Sequence, residues 1–152
     1  MIMKLSLIRV VWLVFLILFV GSLGWLLLSQ RPNRSVPDSP KTIQINGQSW
    51  YILERADTKE KRAQGLGDRA SLERGTGMLF VFPTEDRYGF WMKGMQFPLD
   101  IIFIRQGVVD SVARNRLPGD LTPVFPHQPV DHVLEVNAGE GATIAPGQQV
   151  TW

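Results

Sequence analysis

A mainly β domain, either a small β-sandwich or a partly closed barrel with one short helix, preceded by one transmembrane helix, is the architecture this 152-residue sequence predicts. Three observations carry that expectation. Residues 42–152 break into short runs rich in Val, Ile, Phe, Trp and Tyr, separated by Gly, Pro, Asn and Asp. Within that region the clearest helix signals sit in one stretch, DTKEKRAQGLG, residues 57–67. Residues 10–29, VVWLVFLILFVGSLGWLLLS, contain no charge at all.

Twenty helical residues rise about 30 Å, enough to cross the hydrocarbon core of a bilayer. Lys4 and Arg9 precede the run and Arg31, Arg34 and Lys41 follow it, so the positive-inside rule alone does not orient it. The short basic head decides the matter: residues 1–9 stay in the cytoplasm and residues 10–29 act as a signal-anchor. The expected location is the inner (plasma) membrane, single-pass, with the C-terminal domain periplasmic or otherwise extracytoplasmic. The lipid bilayer is then a partner through residues 10–29. Cleavage is the competing reading, but the run exceeds the ~7–15 apolar residues usual in a signal peptide. The small pair Ser22 and Gly24 is also followed by further apolar sequence, WLLLS. Residues 30–41, QRPNRSVPDSPK, read as a polar Pro/Ser tether.

The β domain, residues 42–152, opens with TIQI and QSWYIL around Asn46-Gly47, the dipeptide that supplies the positive φ angles of a type I′ hairpin turn. Asp57 as N-cap with Glu60 three residues on forms a capping box, and Gly65 or Gly67 stops the helix. Strands are then expected at GMLFVF (bounded by Gly77 and Pro83), YGFWM, LDIIFI, VVDSVAR, DHVLEVN and QQVTW. RQG predicts a second hairpin between LDIIFI and VVDSVAR. A long connection with four prolines, NRLPGDLTPVFPHQP, precedes DHVLEVN; loops of that length are usually functional or mobile.

Charge excludes one class of function. Residues 1–41 hold five Lys/Arg and one acidic residue, whereas residues 42–152 hold eleven Lys/Arg and thirteen Asp/Glu, a net of −2. The basic excess flanks the apolar run, and no nucleic-acid partner is expected of the domain. The absence of cysteine excludes disulfides, thiol catalysis and lipoprotein processing at a cysteine. No cofactor motif is present, and no metal site is expected. Met78, Met92, Met95, His127 and His132 are soft or imidazole ligands of the kind copper takes, yet they lack tight spacing. Asp131, His132 and Glu135 are split by strand alternation, which turns His132 away from the other two.

The segments RAQGL, DRASL, GMLFVF, FWMKGMQFPLDIIFI, VLEVNAG and IAPGQQV together resemble the domain of unknown function 192 family over nearly all of residues 48–152. The family pattern matches at Arg62, Gly65, Leu66, Arg69, Leu72, Gly77, Met78, Phe80, Phe82, Phe90, Trp91, Met92, Lys93, Pro98, Leu99, Asp100, Phe103, Glu135, Gly139 and Gly147. Departures fall at Gly67, where the family carries Met, at Gly94-Met95, where it carries Asn-Thr, and at Gln148, where it carries Asp. The resemblance implies a small, mostly β, often jelly-roll-like domain behind a signal or anchor segment, with no established activity.

Lys93 and Asp100 are charges set in the most apolar part of the domain. Seven residues apart across a Gly-Met-Gln-Phe-Pro turn, they either form a buried structural pair or line a site. In the second case Lys93, with Arg62 and Arg69, makes a cationic pocket for a carboxylate or phosphate. Trp91 shares a face with Lys93 and adds an aromatic surface. The candidate ligand-binding residues are therefore Arg62, Arg69, Trp91, Lys93 and Asp100, with no catalytic residue assigned. The expected function is a non-catalytic binding or accessory module of the cell envelope, its partner a small anionic ligand or an envelope protein. The alternative is an enzyme acting on an anionic envelope metabolite through Lys93, Asp100 and Arg62.

Overall fold

The computed structural model describes residues 41–152; the predicted head, the signal-anchor helix and all but the last residue of the tether lie outside the described residues. Among the described residues no helix is long and apolar enough to cross a membrane. Seven strands and one helix follow in the order β1 (Thr42–Ile45), β2 (Gln48–Ala56), α1 (Lys59–Gln64), β3 (Thr76–Asp86), β4 (Leu99–Arg105), β5 (Val108–Arg116), β6 (Val130–Asn137) and β7 (Val150–Thr151).

All seven strands belong to one sheet in the order β5-β4-β6-β3-β2-β1-β7, a half-barrel and not the two packed layers of a sandwich. The sheet curls until its ends meet. Val108 bridges Gln149, the Val109 N–H donates to the Gln148 carbonyl at 2.9 Å, and the Val150 N–H donates to the Gly107 carbonyl at 2.8 Å. Closing the edges in this way removes unpaired backbone groups that an open sheet would expose.

Both tight turns form as their residues require. Asn46 and Gly47 have φ of 49° and 78°, and Gln106 and Gly107 have 49° and 76°. The second turn accepts Gln where Asn is usual because its N–H is held by Asp131 Oδ1 at 3.0 Å and its amide by Glu85 Oε1 at 2.6 Å. The helix starts one residue later than its sequence signals indicate. Thr58 is the N-cap, extended at φ −107° and ψ 160°, and its Oγ1 accepts from the Lys61 N–H. Asp57 instead approaches the Arg55 guanidinium at 3.6 Å. Gly65 ends the helix with φ 55°.

Strand alternation sends side chains to two separate cores. Ile43, Ile45, Trp50, Leu79, Ile102, Ile104, Leu134 and Val136 fill the inside of the curl. Met78, Phe80, Leu99, Ile101, Phe103 and Val133 face the other way and are covered by Leu66, Leu72 and Met92 from the connections. Two crossovers supply that cover. β2 and β3 are parallel neighbours, so the chain between them crosses over through α1. β3 and β4 both run antiparallel to β6, which lies between them, so residues 87–98 form a second crossover.

That topology explains why YGFWM is not a strand. Only Phe90 pairs, with Val124, through hydrogen bonds of 2.9 and 2.8 Å. The sheet position beside β3 belongs to β6, which leaves this segment to pack over the sheet. β3 in turn runs past Pro83 to Asp86, because its register with β6 breaks after Val81 and no ladder donor is needed at the proline. QQVTW contributes only the two residues of β7. The four-proline connection is pinned: Asp110 accepts from the N–H groups of His127 and Gln128 at 2.7 and 3.2 Å, and Arg87 Nε donates to the Pro126 carbonyl at 3.0 Å.

Both cores lie within residues 43–150. A fragment spanning 42–152 is therefore expected to fold alone as a soluble, β-rich protein. A far-ultraviolet spectrum dominated by helix, or aggregation that only detergent relieves, would contradict this.

Candidate functional site

Between the two crossovers, on the outer face of the sheet, the chain encloses a cavity of about 480 Å³. Its floor is Phe80 on β3 and Glu135 on β6. One wall is α1 and its exit, with Lys59, Arg62, Gly65 and Leu66; the other is the second crossover, with Tyr88, Phe90, Trp91, Lys93 and Met95. The sequence builds this gap because α1 is short, six residues, and no residue of it is buried. It shields only part of the face that Met78, Phe80 and Glu135 present.

The walls are aromatic and ordered by ring–ring contacts. Phe82 stacks on Tyr88 with centroids 3.6 Å apart and planes 12° from parallel. Phe80 meets Phe90 edge-on at 5.0 Å, and Phe90 meets Phe103 edge-on at 5.8 Å. The Arg62 guanidinium sits over the Phe82 ring at 5.3 Å while its Nη1 donates to the Val81 carbonyl at 2.9 Å. Trp91 is 56% exposed at the edge of the site.

Glu135 is the unusual member. It is 6% exposed, and its Oε2 has no hydrogen-bond partner. Met78 and Ile101 flank it across the sheet, so neither neighbouring strand offers a donor. Burial pushes its carboxyl up to about 8, which leaves it mostly protonated at neutral pH. An unpartnered buried carboxyl is costly, and such groups concentrate at functional sites.

The residues expected to form the site divide between separate places. Arg62, Trp91 and Lys93 line the cavity together. Trp91 and Lys93 do so with Met92 between them buried in the outer core. Arg69 does not join them: its Nη2 is 2.6 Å from Glu54 Oε2, and the pair ties the post-helix loop to β2.

Lys93 and Asp100 form no pair, which corrects the expectation of a structural ion pair. On β4 the residues Leu99, Ile101 and Phe103 face the cavity side, whereas Asp100, Ile102 and Ile104 face inward. Asp100 is 1% exposed, and its carboxylate accepts three backbone N–H groups: Asn115 at 2.7 Å, Gly139 at 2.9 Å and Gly141 at 2.8 Å. It clamps the end of β5 to the turn after β6. Lys93 is exposed and makes no ion pair with a described residue. The cavity also lies beside α1 and not under the Pro-rich connection, which braces residues 90–92 from the far side.

Glu135 is the site residue that the sequence reading did not include among the candidate ligand-binding residues. The cluster of Asp131, His132 and Glu135 is split, but not as alternation alone predicts. His132 Nδ1 lies 3.3 Å from Asp131 Oδ2, because neighbouring side chains at the strand end still reach each other. Asp131 also holds the Gln106 turn, and Glu135 is the member set apart, in the cavity. The available signal was a carboxylate placed mid-strand among Val133, Leu134 and Val136, where an unpaired charge has no cheap solution.

Fold and site together define a small half-barrel domain with an aromatic pocket, basic at its mouth and acidic at its floor. The chain belongs to the family DUF192, an "Uncharacterized ACR" family whose model matches residues 41–152. No curated protein matches it. Among solved structures it is similar to a protein of unknown function from Novosphingobium aromaticivorans, at 35% identity and a TM-score of 0.69, over 73% of this chain and 84% of that one. It is also similar to a protein from Sinorhizobium meliloti described as a candidate transcription regulator, at 29% identity and a TM-score of 0.67, over 72% of this chain and 91% of that one.

Proposed function

We propose that this chain is a membrane-anchored, extracytoplasmic binding module that takes a small ligand with an apolar body and an acidic group into the cavity between its crossovers. The observation that carries the reading is the joint presence of five aromatic side chains and three cations, Lys59, Arg62 and Lys93, around one cavity of drug-like size. The rings bury the body, and the cations at the mouth hold a carboxylate or phosphate. Gene regulation, suggested by the Sinorhizobium meliloti description, finds little support in a domain with a net charge of −2.

The test is binding of 3-phenylpropionate, an aromatic ring on a short carboxylate. Lys93→Ala should weaken it about tenfold or more, equal to about 1.4 kcal/mol. Thermal stability should barely move, since exposed unpaired charges contribute little. Failure of 3-phenylpropionate to bind, or equal binding by the variant, rejects this reading.

Anchoring rests on residues 10–29 and the polar tether that follows them. Full-length protein should stay in the membrane fraction, and a carboxy-terminal reporter active only outside the cytoplasm should register. A mature chain beginning near residue 25, or a cytoplasmic signal, would reverse the assignment.

An enzymatic reading has one feature in its favour, the buried carboxyl of Glu135, which desolvation pushes up to about 8. It would have to replace Asp100 with Glu135 as the acid–base group, because Asp100 is committed to three backbone donors on the opposite face. Product formation that vanishes in Glu135→Gln would establish it.

A further inference from the structure

We propose that the pocket is built for a zwitterion, an amino-acid-like molecule whose ammonium group seats on Glu135 while its carboxylate meets Lys93 and Arg62 at the mouth. The inference rests on the binding reading above and names the class of ligand.

Glu135 lies at the floor, more than nine-tenths buried, with Oε2 unpartnered and only Met78 and Ile101 beside it on the flanking strands. A carboxyl in such a place serves no packing purpose that Gln or Met would not serve better. A ligand ammonium would supply the missing donors as a charge-assisted hydrogen bond at the buried floor of the cavity. Phe80 and Phe90 line the same cavity and would bury the apolar body beside that group.

The mouth selects against a simple amine. A monocation must pass Lys59, Arg62 and Lys93 to reach the single acid. A molecule carrying an acid as well is attracted at both ends. An acid without an amine leaves Glu135 unpaired, and once ionised that carboxylate repels it. The class that satisfies floor and mouth together carries both charges on one apolar body.

The ionisable groups around the cavity are Lys59 and Arg62 on α1 and Tyr88 and Lys93 on the second crossover, with Glu135 on β6; β3 and β4 bring none beside it. Burial pushes the Glu135 carboxyl up to about 8, so in the empty cavity it gains its charge only as pH rises through that value. Binding of an ammonium group requires the carboxylate form, so it must expel the proton.

The experiment titrates the full-length chain, in non-ionic detergent, with three ring-matched probes: phenylalanine, 3-phenylpropionate and phenethylamine. Phenylalanine should bind about tenfold or more tighter than either partner at pH 8. Its affinity should climb by about tenfold per pH unit between 6 and 8, with close to one proton released per molecule bound, read from the buffer dependence of the binding heat. Glu135→Gln should erase both the amine advantage and the proton release while leaving 3-phenylpropionate bound. If phenylalanine and 3-phenylpropionate bind equally in the native chain, the zwitterion inference falls and the binding reading stands. Affinity that instead declines as pH rises toward 8 would make Glu135 a neutral donor, and also defeats the inference. Failure of all three probes removes the inference and the binding reading together.

Discussion

Glu135→Gln is expected to stabilise the protein, and to do so more strongly as pH rises. In the unfolded chain this carboxyl titrates near its ordinary value of 4.5, whereas in the folded domain burial pushes it up to about 8. Between those values the folded state holds a proton that the unfolded state has released. Stability therefore falls with rising pH across this window, by up to about 1.4 kcal/mol per unit, and levels off above it. The native carboxyl thus costs up to roughly 5 kcal/mol well above pH 8, an order-of-magnitude figure. The amide carries no charge and escapes that cost. Urea denaturation of fragment 42–152 and its variant at pH 5, 7 and 9 should show curves that nearly coincide at the lowest pH and separate steadily. A constant offset, or a variant less stable at pH 9, would show that Glu135 is paired in solution. A residue that lowers stability and persists at a pocket floor is the usual mark of a functional group.

Asp100→Ala should have the largest destabilising effect, on the order of 4 kcal/mol or more. It strands the N–H groups of Asn115, Gly139 and Gly141 at once, and hydrogen bonds to a charged acceptor contribute roughly 1.5–3 kcal/mol each. Space does not allow easy relief. A Cβ placed on Gly141 would lie 3.1 Å from Asp100 Oδ2 and 3.2 Å from its Cβ, so the turn is fitted closely to this carboxylate. Asp100→Asn should be milder than Ala, because one oxygen survives for the Gly139 and Gly141 donors while the amide faces the Asn115 N–H. The companion change Lys93→Ala should leave stability nearly untouched, and a double-mutant cycle between the two should show no coupling. A coupling energy above about 1 kcal/mol would restore the ion pair that strand alternation argues against.

Hairpins, helix and most strands were legible in the sequence because their causes are local. Asn46-Gly47 adopts its paired positive φ from its own residue types and Gly65 ends α1 through its own backbone freedom, whereas Gln106-Gly107 adds the holds of Asp131 and Glu85 on Gln106. The alternation in LDIIFI and DHVLEVN also contained the fate of Asp100 and Glu135, one turned inward and the other outward, once each strand's faces were known. Proximity in sequence argued for joining Lys93 to Asp100, and it misled because the chain crosses over between them.

Sequence by itself determined the β character of the described residues, the Asn46-Gly47 turn, the charge balance and the family. Tertiary structure alone decided the rest, because pairing between distant strands is a long-range choice. β6, last but one in the chain, inserts between β3 and β4; this pushes YGFWM off the sheet and turns it into a cavity wall. The same insertion sets Glu135 between Met78 and Ile101 with no donor in reach, and three residues 73 positions apart at most, Arg62, Lys93 and Glu135, come to line one pocket.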